Sequence, residues 1–247
     1  MTLAEIREAD APPEVAAIYG HLRAGYGLPL VNLIWRHFAT LPGILPWAWE
    51  SVAPALPLLP AATKRLQTAL EPLPSLPLSA EAAALARLYN RGNLSNLIVL
   101  TALLRGKQGQ GSATSGALPT MLPAPAPLPR LDALSDKARR EVLALAGLHG
   151  HADGVIPTLY LHLAQWPALL APLYMSLSPL MATGRIARLR EMAVAAANHE
   201  AEALRPYLAA VPAPPNRDMA EAALRPFVTR VIPEMVPIGL ILGGQTP

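Results

Sequence analysis

From Gly154 to Gly184 the chain carries no Asp, Glu, Lys or Arg, and four prolines, Pro157, Pro167, Pro172 and Pro179, divide that run. An uncharged stretch of this length either crosses a bilayer or lies buried in a protein core. Each interior proline removes a backbone donor and clashes with the preceding turn. In lipid the freed carbonyls would find no water. His162, Gln165, Ser176 and Ser178 place further polar groups along the run. The expectation is a set of short helices packed inside a protein, with no membrane partner. The opening segment, MTLAEIREAD, is polar and acidic, unlike a signal or transit peptide, so a cytoplasmic location is expected.

The same punctuation runs through the whole chain, with 28 prolines among 247 residues and helix formers between them. Ala and Leu dominate those intervals, and no alternating strand pattern is present, so the fold class expected is all-α. Apolar residues make up 52% and charged residues 15%, enough apolar surface to build a core and argue against disorder. The absence of cysteine excludes disulfides, thiol nucleophiles and Cys-ligated zinc. A formal charge of +3 comes without a basic run, which argues against nucleic acid and is compatible with a small anionic ligand. The intervals predict helices over Pro12–Tyr26, Asn32–Thr40, Ile44–Leu58, Ala61–Leu70, Ala80–Asn90 and Asn93–Leu104. After a break they predict Ser135–Leu148, Pro157–Gln165, Pro167–Leu173, Gly184–Leu208, Asn216–Arg230 and Pro233–Leu242.

The break, residues 106–130, is Gly/Ser/Gln-rich and then Pro-rich, a composition that reads as a linker whose shortening should be tolerated. It separates residues 1–105 from 131–247. These halves share a pattern: VNLIWRHFATLPGILPWAW (Val31–Trp49) aligns with IPTLYLHLAQWPALLAPLY (Ile156–Tyr174) at an offset of 125 positions. His37 meets His162, Pro42 meets Pro167, Trp35 meets Tyr160 and Phe38 meets Leu163. The shared H-x-A-x-x-P-x-x-L spacing suggests two related repeats packed as a pseudo-dimer around a cleft, a natural ligand site.

Positions where the halves differ are candidates for chemistry. Asp153 stands opposite Leu28 and is the only carboxylate between Glu141 and Glu191. Apolar surroundings disfavour a charged carboxylate and raise its pKa toward the range of a general base. Asp-Gly before Pro157 is also ordinary cap and turn chemistry. Asn90, Asn93 and Asn96 recur every three residues along one helical stripe. Asn90 is best read as ending one helix around Gly92, whereas Asn93 and Asn96 could hold a water or a substrate oxygen. Trp35 and Phe38 share a helical face that is either core or the wall of a pocket. His37 and His162 recur symmetrically and read as holding the fold through bonds to backbone. His149 and His151 form an H-x-H pair without clear further ligands.

VNLIWRHFATLPGILPWAWE, YNRGNLSNLIVLTAL and DGVIPTLYLHLAQWPALL together resemble the group I 2-haloacid dehalogenases, the all-helical kind acting on D- or on both D- and L-acids. The resemblance covers most of both halves and omits the linker. It implies hydrolysis of short 2-haloalkanoic acids to 2-hydroxy acids and halide, with no metal or organic cofactor, in a protein that commonly forms homodimers. Asp153 matches the aspartate that activates water directly, and Asn93 or Asn96 the asparagine that positions it. Trp35 and Phe38 match substrate-pocket aromatics, and Phe227 is a weaker match to another wall residue. Ala152 stands where the family often has Ser before the aspartate, which puts efficiency and substrate range in doubt. A non-catalytic helical protein binding small organic acids, or a hydrolase of other carbon–halogen bonds, is the alternative.

Overall fold

The computed structural model describes residues 3–111, 118–150 and 156–243, and among these the only regular structure is helical. Eleven α-helices follow one another: α1 (Pro13–Tyr26), α2 (Leu33–Phe38), α3 (Ile44–Val52), α4 (Leu59–Thr68), α5 (Ala80–Arg105), α6 (Asp136–Gly147), α7 (Thr158–Leu163), α8 (Leu170–Ala182), α9 (Arg185–Leu204), α10 (Arg217–Pro226) and α11 (Ile232–Ile241). Their starts follow first-turn chemistry. Asn32, Ser79 and Ser135 each accept a backbone N–H of the turn they cap. Pro13 sits where its missing donor costs nothing. No described helix is long and apolar enough to cross a membrane.

One order of elements occurs twice: a helix, a six-residue helix, two further helices, then a long helical segment. The six-residue helices α2 and α7 are displaced by 125 positions at both ends, as the sequence offset requires. At the centre α4 and α5 pack against α9 and α11, and one continuous apolar core runs through both halves. A half-exposed Arg65 reaches across from α4 and forks onto the buried Glu200 of α9, with N–O distances of 2.6 and 3.0 Å.

Several expectations about helix limits are corrected. Ala80–Asn90 and Asn93–Leu104 form the single helix α5, because a lone interior glycine costs only about 1 kcal/mol and tertiary packing outweighs that. Asn90 therefore caps nothing. It is buried mid-helix, and its Nδ2 donates to the Gly239 carbonyl of α11 at 3.1 Å. A Cβ on Gly239 would lie 1.7 Å from Asn90 Oδ1, so glycine there lets α5 and α11 approach. The helix expected to end at Leu173 runs on through Pro179 to Ala182. Asn216–Arg230 and Pro233–Leu242 are joined by a π-helical turn, Phe227–Val231, into one interrupted column.

The segment after α5 is also bound rather than free. Proline denies residues 118–130 a helix, but extended chain leaves its carbonyls open as acceptors. Arg91 donates to Thr120 O at 2.7 Å, His162 Nε2 to Ala126 O at 3.1 Å and Gln165 to Pro127 O at 3.3 Å. Leu122 N donates to Gly27 O at 3.0 Å, so this stretch touches both halves.

Candidate functional site

The short helix α2 turns Trp35 and Phe38 inward. Both are buried, and their rings meet edge to face at 5.8 Å. Trp35 Nε1 donates to Asn96 Oδ1 at 2.7 Å, and Asn96 Nδ2 donates back to Gly92 O within α5 at 2.8 Å. Asn96 is 1% exposed. The structure thus brings three of the residues singled out by sequence into one buried cluster. The indole N–H is committed to Asn96, which leaves the ring itself as an apolar wall. Asn96 keeps one N–H and one lone pair. Asn93, half-buried one turn before it on α5, has no partner among the described residues.

Phe227 opens the π turn and is 8% exposed. That turn packs on α5, and α10 packs on α2 and α5, yet among the described residues no ring contact joins Phe227 to Trp35 or Phe38. Ala152 and Asp153 lie outside the described residues, as does His151.

Tyr26, at the end of α1, is a neighbour that sequence reasoning passed over. Its ring lies 6.4 Å from that of Trp35, and its buried hydroxyl makes no hydrogen bond of normal geometry among the described residues, although the Trp35 indole N–H is close enough to act on it. Burial pushes this phenol far above its ordinary range. In sequence Tyr26 reads as one more core aromatic, and nothing local marks its place beside Trp35.

A second polar cluster was partly legible. Tyr160, the counterpart of Trp35, shares a 2.8 Å hydrogen bond with His149 Nε2. His149 Nδ1 lies 3.8 Å from Glu234, whose carboxylate also lies 3.3 Å from Arg230 and 3.6 Å from Arg190. Burial raises the Tyr160 phenol strongly, and the Glu234 charge adds to the effect. Glu234 is the only carboxylate in the apolar run that forms α11, a signal the sequence did carry. Among the described residues no group of three His, Cys, Asp or Glu side chains could hold a metal.

His162 and His37 both bond to backbone carbonyls of the segments that precede the first α-helix of their halves, at Ala126 and Ala4. With its Nε2–H given to Ala126, His162 accepts the Tyr89 hydroxyl at Nδ1, at 2.6 Å. Burial holds this imidazole below its ordinary value and pushes the Tyr89 phenol up to about 12.

No family model and no curated protein matches this chain. Solved structures do. A mutant D-2-haloacid dehalogenase superposes with a TM-score of 0.72 at 16% identity, over 98% of this chain and 96% of that one. A complex of D-2-haloacid dehalogenase with L-LA gives 0.71 at 19% identity, over 98% and 94%. A mutant complex with D-2-CPA gives 0.66 at 18% identity, over 98% and 92%. The chain has their fold along nearly its whole length.

Proposed function

We propose that this chain hydrolyses the carbon–halogen bond of short 2-haloalkanoic acids, giving a 2-hydroxy acid and halide. The observation that carries the reading is the Trp35–Asn96 hydrogen bond beside Phe38, buried in a fold shared end to end with D-2-haloacid dehalogenases. An apolar aromatic wall with one amide attached suits an acid whose reacting carbon bears a halogen, and the deep burial of the cluster limits competing water.

In the proposed reaction Asp153 takes a proton from a water aligned opposite the carbon–halogen bond. The water oxygen forms the new bond to C2, the halide leaves with the bonding electrons, and the carbon inverts. The proton passes from Asp153 to solvent before the next turnover. Asn96 fixes the Trp35 ring and keeps one N–H to spare, while Asn93 has its whole amide free to hold the water. Ala152, lacking a hydroxyl, offers no hydrogen bond to the substrate, which should narrow the range accepted. The two halves are read as related repeats around this site, with α5 answering to the column from α10 to α11.

The test is halide release from each enantiomer of 2-chloropropionate, followed by ion chromatography. Release by the natural chain and its loss in Asp153→Asn with an unchanged melting curve support the reading. No release from either enantiomer, with propionate still bound, would favour a silent binding protein instead.

A further inference from the structure

Most Lys and Arg side chains in this protein reach a carboxylate: Arg23 meets Glu8, Arg65 meets Glu200 and Arg217 meets Glu221, for example. Among the described residues Lys64, Arg87, Arg91, Lys107, Arg140 and Arg188 reach none, and the first three line one cleft of about 280 Å³ between the end of α1, α4 and α5. Among the described residues no carboxylate lines that cleft.

Arg91 is the informative member. It is half-buried, and its Nη1 donates to Gly27 O at 3.1 Å and to Thr120 O at 2.7 Å. Those carbonyls orient the guanidinium and satisfy part of its hydrogen bonding, but they bring no countercharge. Burial already lowers the pKa of this arginine. A cation withdrawn from water without an opposite charge is costly, and a bound anion removes the cost. Arg87 on α5 and Lys64 on α4 flank it with exposed charges from two different helices. The wall of the cleft includes Tyr26, the same residue whose ring stands beside Trp35. The cleft and the Trp35–Asn96 cluster therefore share a side chain.

We propose that this cleft binds a small organic carboxylate, held by Arg91 with Arg87 and Lys64, with its carbon chain toward Tyr26. The choice of a carboxylate over other anions rests on the haloacid reading above. The volume suits a short acid rather than a drug-sized ligand. The guanidinium fork of Arg91 matches the two oxygens of a carboxylate better than it matches a spherical ion.

The experiment reads the side-chain Nε–Hε resonances of Arg87 and Arg91 by nitrogen-15 NMR while sodium propionate, propionamide or sodium chloride is added at matched ionic strength. Propionate is expected to shift the Arg91 signal saturably, and the uncharged amide to leave it in place. The double variant Lys64→Gln, Arg87→Gln should bind propionate roughly fivefold more weakly, as two exposed charge contacts permit. Both side chains are exposed, and an unchanged melting temperature confirms the fold. Equal affinity in the double variant overturns the assignment, as does an equal shift with propionamide. Chloride matching propionate would overturn the carboxylate class. Propionate has no halogen to lose, so this outcome is independent of whether halide is ever released.

Discussion

Each half contains a six-residue helix, the two lying 125 positions apart in the chain, and each helix turns its aromatic residue onto a different partner. In the first, α2 turns Trp35 onto the neutral amide of Asn96, and the pair sits wholly inside the core. In the second, α7 turns Tyr160 onto His149, which leads to Glu234 and to Arg190 and Arg230 beyond it. One half ends in a buried neutral amide pair, the other in a cluster of ionisable groups. The long elements differ in the same way. α5 runs unbroken for 26 residues across Gly92, whereas the column from α10 to α11 contains Pro226, Pro233 and Pro237 and changes to a π turn at Phe227–Val231. A similar order of helices thus holds dissimilar interiors.

The comparison breaks most completely where the halves touch. Gly239→Ala should cost about 3 kcal/mol, because the new Cβ meets Asn90 and two packed helices must separate. Urea unfolding measures it. Adding Asn90→Ala should recover part of the loss, since it removes the clashing atom. A Gly239→Ala protein as stable as the parent would mean that α5 and α11 do not approach as described.

Trp35→Phe should cost about 2 kcal/mol, because it strands the buried Asn96 oxygen without its donor. In a double-mutant cycle Trp35→Phe and Asn96→Ala should be coupled by about 1 kcal/mol. The corresponding change in the other half, Tyr160→Phe, leaves His149 with Glu234 still nearby and should cost less, about 1 kcal/mol. Equal costs would erase the distinction between the two interiors.

Much of this frame was legible in sequence. The H-x-A-x-x-P-x-x-L spacing located α2 and α7 together with their offset, because a proline after a short apolar helix ends it by local sterics. The all-helical class followed from proline punctuation among helix formers. Asn90 was misread because Asn and Gly two positions apart look like a helix end. What overrides that local signal is the carbonyl of Gly239, 149 residues away. The Pro-rich stretch was misread for a similar reason. Composition shows that it cannot form a helix, but not that its carbonyls will find Arg91 and His162. Trp35, Phe38 and Asn96 were each identified, yet their meeting depends on α2 packing against α5, and no short-range pattern encodes that.

The smallest effect expected is a pH dependence carried by His162. Burial holds His162 below its ordinary 6.5, and the bond it donates to Ala126 offsets this only partly. The unfolded chain regains the ordinary value and so binds more protons on acidification. The stabilising contribution is complete above pH 6.5 and is lost as the pH falls from there through the lower folded value. Melting temperature should therefore drop on going from neutral to mildly acidic buffer. His162→Gln, which can still accept from Tyr89 and donate to Ala126, should flatten that part of the profile.

The central claim is that water attacks the haloacid directly, with Asp153 taking its proton. It is tested most directly by a single turnover in heavy-oxygen water with the protein in excess over 2-chloropropionate. The account predicts labelled 2-hydroxy acid in that first turnover and no label in the peptide containing Asp153. Unlabelled product with label in Asp153 would contradict it, because the carboxylate itself would then have attacked the carbon and been regenerated by hydrolysis of an ester.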